Sequence, residues 1–534
     1  MKKTESLFVG GMLIAAIVAV GVSIVGTNSR IDFRGVPDTE YGAFLAAQHA
    51  IYINDFDAAA RYGAILDVSV GRVVKNTKIM SEFLSGRLPT NAADLAKEAD
   101  TPARLIYDAY LVEQGDWEKL YARHKNDKSA LVAPLRIISS VAINHRTEAI
   151  KFVDSLQTNT SWKAFVRGQI YAESGNAEKA AKEFANVRVD FININDYLYM
   201  MSFYLHHNMT DLAENLRADF TSRPGGLFML DYDNIPDWSH FSGYKNALAF
   251  SLIQSISHTQ VMMFSDLSIL LLRFAQIITP DDSDNNAINY YIGQFFFNNS
   301  GDYSTHFATI DKDSPFYLFA TLREYEANGD VKKLQRVLRA HPLFVPAMNK
   351  LVAYYVANGD KQSALRILNR AMNNEGLSDA SHAFLLKSRA NVYFSFGDLD
   401  RAQSDIHAAS YVLILDAEIL ALQTKIWAVQ KRELETAYEY AITLVQRNPS
   451  DVFAWDVLGR VIAAREGDAE ALETIARVGE VAKECSSLFE NLGDLYARSG
   501  NTKMARDAYM RAIDLSDDGL VVVPKIKQKV RKLK

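Results

Sequence analysis

The chain has 534 residues, a formal net charge of −6 and 49% apolar residues, so it can bury a large core and has no disorder-like bias. Its 58 basic and 64 acidic residues are near balance, which excludes a general nucleic-acid binder, because that function needs a basic stripe to neutralise phosphates. The single cysteine, Cys485, excludes an intrachain disulfide and a zinc site built from paired thiolates.

In chain order, the first element is Met1-Lys2-Lys3 followed by an uncharged stretch from Leu7 to Val25, about 28 Å long as a helix and sufficient to cross a bilayer core. The apolar region of a cleavable signal peptide is shorter, and Val22 to Thr27 makes a poor cleavage site, so residues 1–30 read as a retained transmembrane anchor. Lys2 and Lys3 precede the segment, and Arg30 and Arg34 follow it. This thin positive-inside bias favours an amino terminus in the cytoplasm, placing the chain at the inner membrane with its bulk in a bacterial periplasm. The reversed topology, a cytoplasm-facing adaptor, is the alternative.

From Glu40 onward nearly every segment reads as two amphipathic helices joined by a short turn of the Asn-Gly-Asp type. Residues 40–220 hold degenerate units: Phe44 to Ala60, Tyr107 to Leu120, Ala133 to Val153 and Tyr197 to Ala213 keep the helical spacing, and Gly168, Tyr171, Gly175, Ala180 and Phe184 form a sharper one. Periodicity fails over 221–244, which contains Arg223-Pro224-Gly225-Gly226, Asp231, Asp233 and Trp238; a break of that length is a joint between sub-arrays or a functional loop, and a joint is favoured. Residues 245–520 hold the clearer units, beginning with a helix at Ser265 to Ala275 and the aromatic run Tyr290 to Phe297. Residues 521–534 are a basic tail in which Lys525, Lys527, Lys529, Arg531, Lys532 and Lys534 alternate with Ile526, Val530 and Leu533 at helical spacing. It reads as a solvated capping helix, with contact to an anionic partner or lipid headgroups as the alternative.

The sharpest unit is Phe489, Leu492, Gly493, Tyr496, Gly500, Ala505, Tyr509, Ala512. This resembles the tetratricopeptide repeat (TPR), in which small residues sit where the two helices of a hairpin approach and large ones fill the space between hairpins. The same frame lies on Met348 to Ala371, on Leu386 to Ala409, on Trp455 to Ile475 with its turn glycine displaced by one, and on Leu420 to Pro449 with no turn glycine. The resemblance implies an all-α, right-handed TPR-like superhelical solenoid of antiparallel helix hairpins, ten to twelve in number, behind the N-terminal transmembrane helix.

It also implies a binding groove lined by the first helices of successive hairpins. Carried over position by position, its lining residues are Asn349, Ala353, Lys387, Asn391, Ser395, Asp456, Arg460, Glu490, Asp494 and Arg498. Lys387 and Asn391 resemble half of the carboxylate clamp by which some family members hold a peptide terminus, but Leu422 stands where the other half needs Asn. Protein or peptide partners are therefore expected, with no cofactor and no catalysis.

Other chemistry is weakly signalled. No P-loop, zincin motif, nucleophile elbow or dinucleotide fingerprint is present. Asp231-Tyr232-Asp233 could hold a divalent metal beside a sugar nucleotide, which keeps an envelope polysaccharide enzyme as a rival, but Asp55/Asp57, Asp311/Asp313 and Asp398/Asp400 repeat the spacing in turns, where Asp serves as a cap. Asp282, Asp284 and Asn286 begin like a calcium loop, yet Ala287 and Gly293 stand where Gly and Glu are required. His206, His207, His240 and His258 have no acidic or thiolate partner at ligand spacing. Cys485, flanked by Glu484 and Ser486, reads as a small core residue, and Trp238, Phe241 and Tyr244 read either as an exposed anchor site or as packing within the joint.

Overall fold

A computed structural model describes residues 39–533 apart from 68, 70, 99, 130–131, 223–233, 259–265, 281–284, 300 and 376. The expected anchor, Leu7 to Val25, lies outside the described residues. Among the described residues no helix is long and apolar enough to cross a membrane. All regular structure described is helical.

The chain divides into two compact units, 1–82 and 83–534. The first contains the hairpin Glu40–Tyr52 and Phe56–Ile65 and the start of a third helix, Arg72–Leu84. Alanine dominates the hairpin's contact face, with Ala43, Ala47, Ala50, Ala59 and Ala60 all buried, so the two helices can approach closely. Thr39 caps the first helix by accepting from the Gly42 amide, and Asp55 caps the second by accepting from Ala58.

The second unit contains twelve hairpins among its described residues, from Thr101–Glu113 with Trp117–His124 to Ser486–Arg498 with Thr502–Asp514, and then a 3₁₀ turn, Ser516–Asp518, and a final helix, Val523–Lys532. With the hairpin of the first unit, thirteen hairpins are described in all, one more than the upper end of the expected range.

One local device stops and restarts the chain again and again. In eight turns a residue with positive φ, namely Asn54, Gly115, Asn144, Gly175, Asn208, Gly359, Gly397 or Gly500, ends the first helix. The next residue donates its amide to the carbonyl five positions back, as in Asp360 to Tyr355 at 2.8 Å and Asn501 to Tyr496 at 2.9 Å. That same residue often begins the second helix, its side chain accepting from the amide three positions on: Asp116 from Lys119, Asn176 from Lys179, Asp360 from Ser363 and Asn501 from Met504. Each such cap is worth about 1 kcal/mol. The hairpin Ala417–Gln430 with Leu434–Arg447, which has neither Gly nor Asn at its turn, uses Lys431 at φ 52° instead.

Within a hairpin the close approach falls where the sequence puts a small residue. A Cβ on Gly493 would lie 2.4 Å from the Tyr509 ring, and one on Gly168 would lie 2.3 Å from the Phe184 ring. Between hairpins the space is filled by large side chains. Phe165, Phe184, Tyr199 and Phe203 are fully buried and stack around one another and around Trp238 and Phe250. Fully burying a phenylalanine of this kind contributes about 1.5–3 kcal/mol.

Residues 221–244 begin as the end of helix Thr210–Ser222 and close as the 3₁₀ turn Trp238–His240 and the first residue of helix Tyr244–Ser257. Asp231 and Asp233 lie outside the described residues. The exposed-anchor alternative for the aromatics of this segment is corrected by packing: Trp238 is only 7% exposed and meets Tyr199, Phe203 and Phe241, while Tyr244 lies edge-on to Trp117. Across the segment, Gln169 donates to the Ala247 carbonyl at 3.0 Å, and Asp196 accepts from Gln254 at 2.8 Å.

Candidate partner-binding groove

The first helices of the last five hairpins are Val345–Ala357, Asp379–Ser395, Ala417–Gln430, Val452–Arg465 and Ser486–Arg498. Their groove positions fall into three groups, distinguished by what already touches them.

Asp456 is the centre of the first group and is completely buried. Its carboxylate accepts from Arg460 Nε at 3.0 Å, from Asn491 Nδ2 at 3.2 Å and from the Ser487 hydroxyl, and Lys425 Nζ stands 3.7 Å away. Arg460 also donates to the Ser487 carbonyl at 2.9 Å. Burial pushes the Asp456 carboxyl up, but Arg460, Lys425 and the Ser487 hydroxyl outweigh it and hold the group below the usual carboxylate range. Burial lowers the Lys425 ammonium, and Asp456 only partly restores it. Lys425 Nζ also sits 4.7 Å from the Phe453 ring centroid. Five charged or polar side chains from three successive hairpins are thus satisfied by one another, which locks the register of the hairpins rather than presenting a free charge to a partner.

Lys387 behaves similarly. It is 5% exposed, and its Nζ contacts Asp416 at 3.1 Å and Glu418 at 2.9 Å, both from the start of the next first helix. The half-clamp reading meets a physical obstacle here, because the ammonium that would hold a terminal carboxylate already holds two internal ones. Asn391 donates from Nδ2 to the Lys387 carbonyl at 3.3 Å.

The second group faces the chain's own end. Glu490 and Asp494, one helical turn apart, both pair with Lys529 Nζ at 2.8 Å. Ser395 gives its backbone carbonyl to Lys525 Nζ at 2.9 Å. Ala353 is met by the backbone before the final helix, since a Cβ on Gly519 would lie 2.5 Å from Ala353 Cα. The basic tail is therefore a helix seated on these positions. Lys525 and Lys529 meet acceptors of this chain, while Lys527, Arg531 and Lys532 on its other face are exposed. Lys525 and Lys529 are separated by about 6 Å of helix rise, so the hairpins carrying Ser395 and Glu490, more than ninety residues apart, converge on one space.

Two positions stay open. Asn349 is exposed, and Arg498 remains half exposed although it clasps Asp468 through two hydrogen bonds of 2.7 and 2.8 Å. Cys485 is buried, and burial pushes its thiol up to about 12, in keeping with a core residue and not a nucleophile.

Sequence reasoning missed Lys425, Ser487, Asn491 and Lys529. Lys425 and Asp456 are separated by nearly one repeat length, as are Asp456 and both Ser487 and Asn491, and this spacing was the available signal for contacts between neighbouring hairpins. Lys529 likewise follows Asp494 by 35 residues, whereas the 130 residues between Ser395 and Lys525 carry no periodic signal.

The site lies on an all-helical array of stacked hairpins. Residues 486–518, the sharpest unit, match the family model described as tetratricopeptide repeat. No curated protein matches the chain. Among solved structures it is similar to the crystal structure of the APC/C hetero-tetramer Cut9-Hcn1, at 12% identity over 96% of this chain and 98% of that one with a TM-score of 0.33. It is also similar to the crystal structure of the yeast Tom70, at 11% identity over 92% and 97% with a TM-score of 0.25. Superpositions with scores this low do not establish a shared arrangement of helices.

Proposed function

We propose that this chain is a scaffold that binds protein partners along its hairpin array, at the inner membrane of a bacterial envelope, anchored by Leu7 to Val25 with the array in the periplasm. The single observation that supports scaffolding is the run of helix hairpins, with a tetratricopeptide repeat at 486–518, in which the first helices carrying Ala353, Ser395 and Glu490 all meet the same segment 519–529. Stacked repeats of this kind expose long surfaces, and such surfaces suit extended contact with another protein.

Photo-crosslinking side chains placed at Asn349 and Arg498 in the whole chain test this reading. Discrete protein adducts from these two positions, absent from a control position on the outer face of Thr502–Asp514, are expected. Adducts from the control position alone would remove the groove. A carboxy-terminal fusion to alkaline phosphatase, compared with a fluorescent protein, tests the membrane orientation, and activity from the fluorescent fusion only would reverse it.

A further inference from the structure

The final helix, Val523–Lys532, has one face in contact with the array and one face in solvent. Ile526 is fully buried, and Val530 and Leu533 pack against the core of the last hairpins. Lys529 bridges Glu490 and Asp494, and Lys525 reaches the Ser395 carbonyl and sits 5.5 Å from the Phe396 ring centroid. Pro524 lies beside Gly359. Its seat thus joins an acidic pair and a small apolar socket to a carbonyl at a helix end, and it recognises lysines four residues apart flanking an aliphatic side chain.

We propose that this seat is a binding site for a basic amphipathic helix of a partner protein, which the chain's own Val523–Lys532 occupies until it is displaced. The inference rests on the scaffold reading and names the chemistry of its ligand. Only Ile526 of the ten helix residues is fully buried, and the rest of the attachment is two lysine contacts with partly covered apolar side chains, a small area suited to exchange. The tether is short and fixed beside the seat: Asp518 accepts from both the amide and the hydroxyl of Ser486, and Gly519 lies against Ala353. A ligand held on so short a leash has an effective concentration in the millimolar range, so a free helix of similar affinity is excluded until the tethered one is weakened.

The test uses the full chain and a fluorescently labelled peptide with the sequence of residues 520–534. Wild-type protein is expected to bind the peptide at least tenfold more weakly than Lys525→Glu/Lys529→Glu, whose tethered helix is repelled by Glu490 and Asp494. Adding Glu490→Gln/Asp494→Asn to that variant removes the gain. Lys529→Gln alone, a milder change, gives an intermediate affinity, and helix content and melting are followed for every variant. A folded Lys525→Glu/Lys529→Glu protein that captures no more peptide than wild type makes the helix a fixed structural cap and overturns the proposal. Capture of the wild-type chain by phosphatidylglycerol vesicles through the same lysines, without peptide exchange, also overturns it by assigning the helix to a lipid surface. Either failure leaves the scaffold reading standing if crosslinks from Asn349 and Arg498 still trap proteins, whereas loss of those crosslinks removes the scaffold reading itself.

Discussion

The Asp518 carboxylate caps a helix that begins thirty-two residues before it: its two oxygens accept from the Ser486 amide at 2.7 Å and the Ser486 hydroxyl at 2.6 Å. The residue that would ordinarily cap helix Ser486–Arg498 is Cys485, which stands at φ 76° and makes no side-chain cap. Asp518 therefore does from a distance what Asp116, Asp360 and Asn501 do locally. Asp518→Ala is expected to destabilise the protein by about 1–2 kcal/mol, the usual loss for a cap. Chemical denaturation should show this as a lower midpoint, and an unchanged midpoint would mean that water replaces the carboxylate at no cost.

Gly493 has its own partner in close approach, the Tyr509 ring, whose hydroxyl donates to Asp494 at 2.7 Å and so cannot easily swing aside. Gly493→Ala should cost about 1–3 kcal/mol through overpacking, against the small gain in helix propensity that alanine normally brings. Thermal melting of this variant beside Gly500→Ala, which meets open space but forces a positive φ, separates crowding from backbone strain.

Asp456 lies between the buried Lys425 and the largely covered Arg460, and its removal takes the nearest counter-charge from both. Asp456→Ala is expected to cost about 3–5 kcal/mol. Because the folded state holds this carboxyl below its usual range, the stabilisation is present above the unfolded value of about 3.9 and is lost as pH falls through the lower folded value. Denaturation midpoints of wild type and Asp456→Asn should therefore differ at pH 7 and converge progressively in acid below about pH 4. A gap that stays constant to pH 2 would show that Asp456 contributes shape, not charge.

Glu173 has the opposite sign. Burial raises its carboxyl from 4.5 to about 7, opposed by a hydrogen bond accepted from the Gly243 amide at 3.0 Å, and its other oxygen has no partner among the described residues. Between those two values the folded chain binds more protons than the unfolded one, so stability falls as pH rises through the window, and the full penalty is present above about 7. Glu173→Gln keeps the acceptor for Gly243 and removes the charge. It should be more stable than wild type by up to about 3 kcal/mol at pH 8 and indistinguishable from it near pH 4. Equal midpoints at pH 8 would place the carboxylate in contact with solvent.

Much of the fold is legible in the sequence because its signals are local. Gly359-Asp360 and Gly500-Asn501 each combine a residue that tolerates positive φ with one whose side chain caps the next helix, so each dipeptide marks a turn by itself. Lys431 does the same work at φ 52° with none of the chemistry that advertises it, and that turn could be placed only by spacing. The groove was legible as a face but not as a set of available groups. Asp456 and Lys387 do occupy the expected helical positions, yet whether a carboxylate or an ammonium is free depends on what arrives from other hairpins. Lys425 reaches Asp456 from one repeat earlier, and Lys529 reaches Glu490 from beyond the last hairpin. Contacts of that second kind follow from how the array curls, which no periodicity within a single hairpin encodes.

A stack whose units touch only their neighbours can fray from either end, one layer at a time. The latch between Lys525 and Ser395, with Lys529 on Glu490, links layers that are far apart along the chain. Without it the layers are free to breathe one at a time; with the helix Val523–Lys532 seated, opening one part of the row strains another. Seating that helix thus turns a gradual, zipper-like unfolding of this part of the array into an all-at-once event.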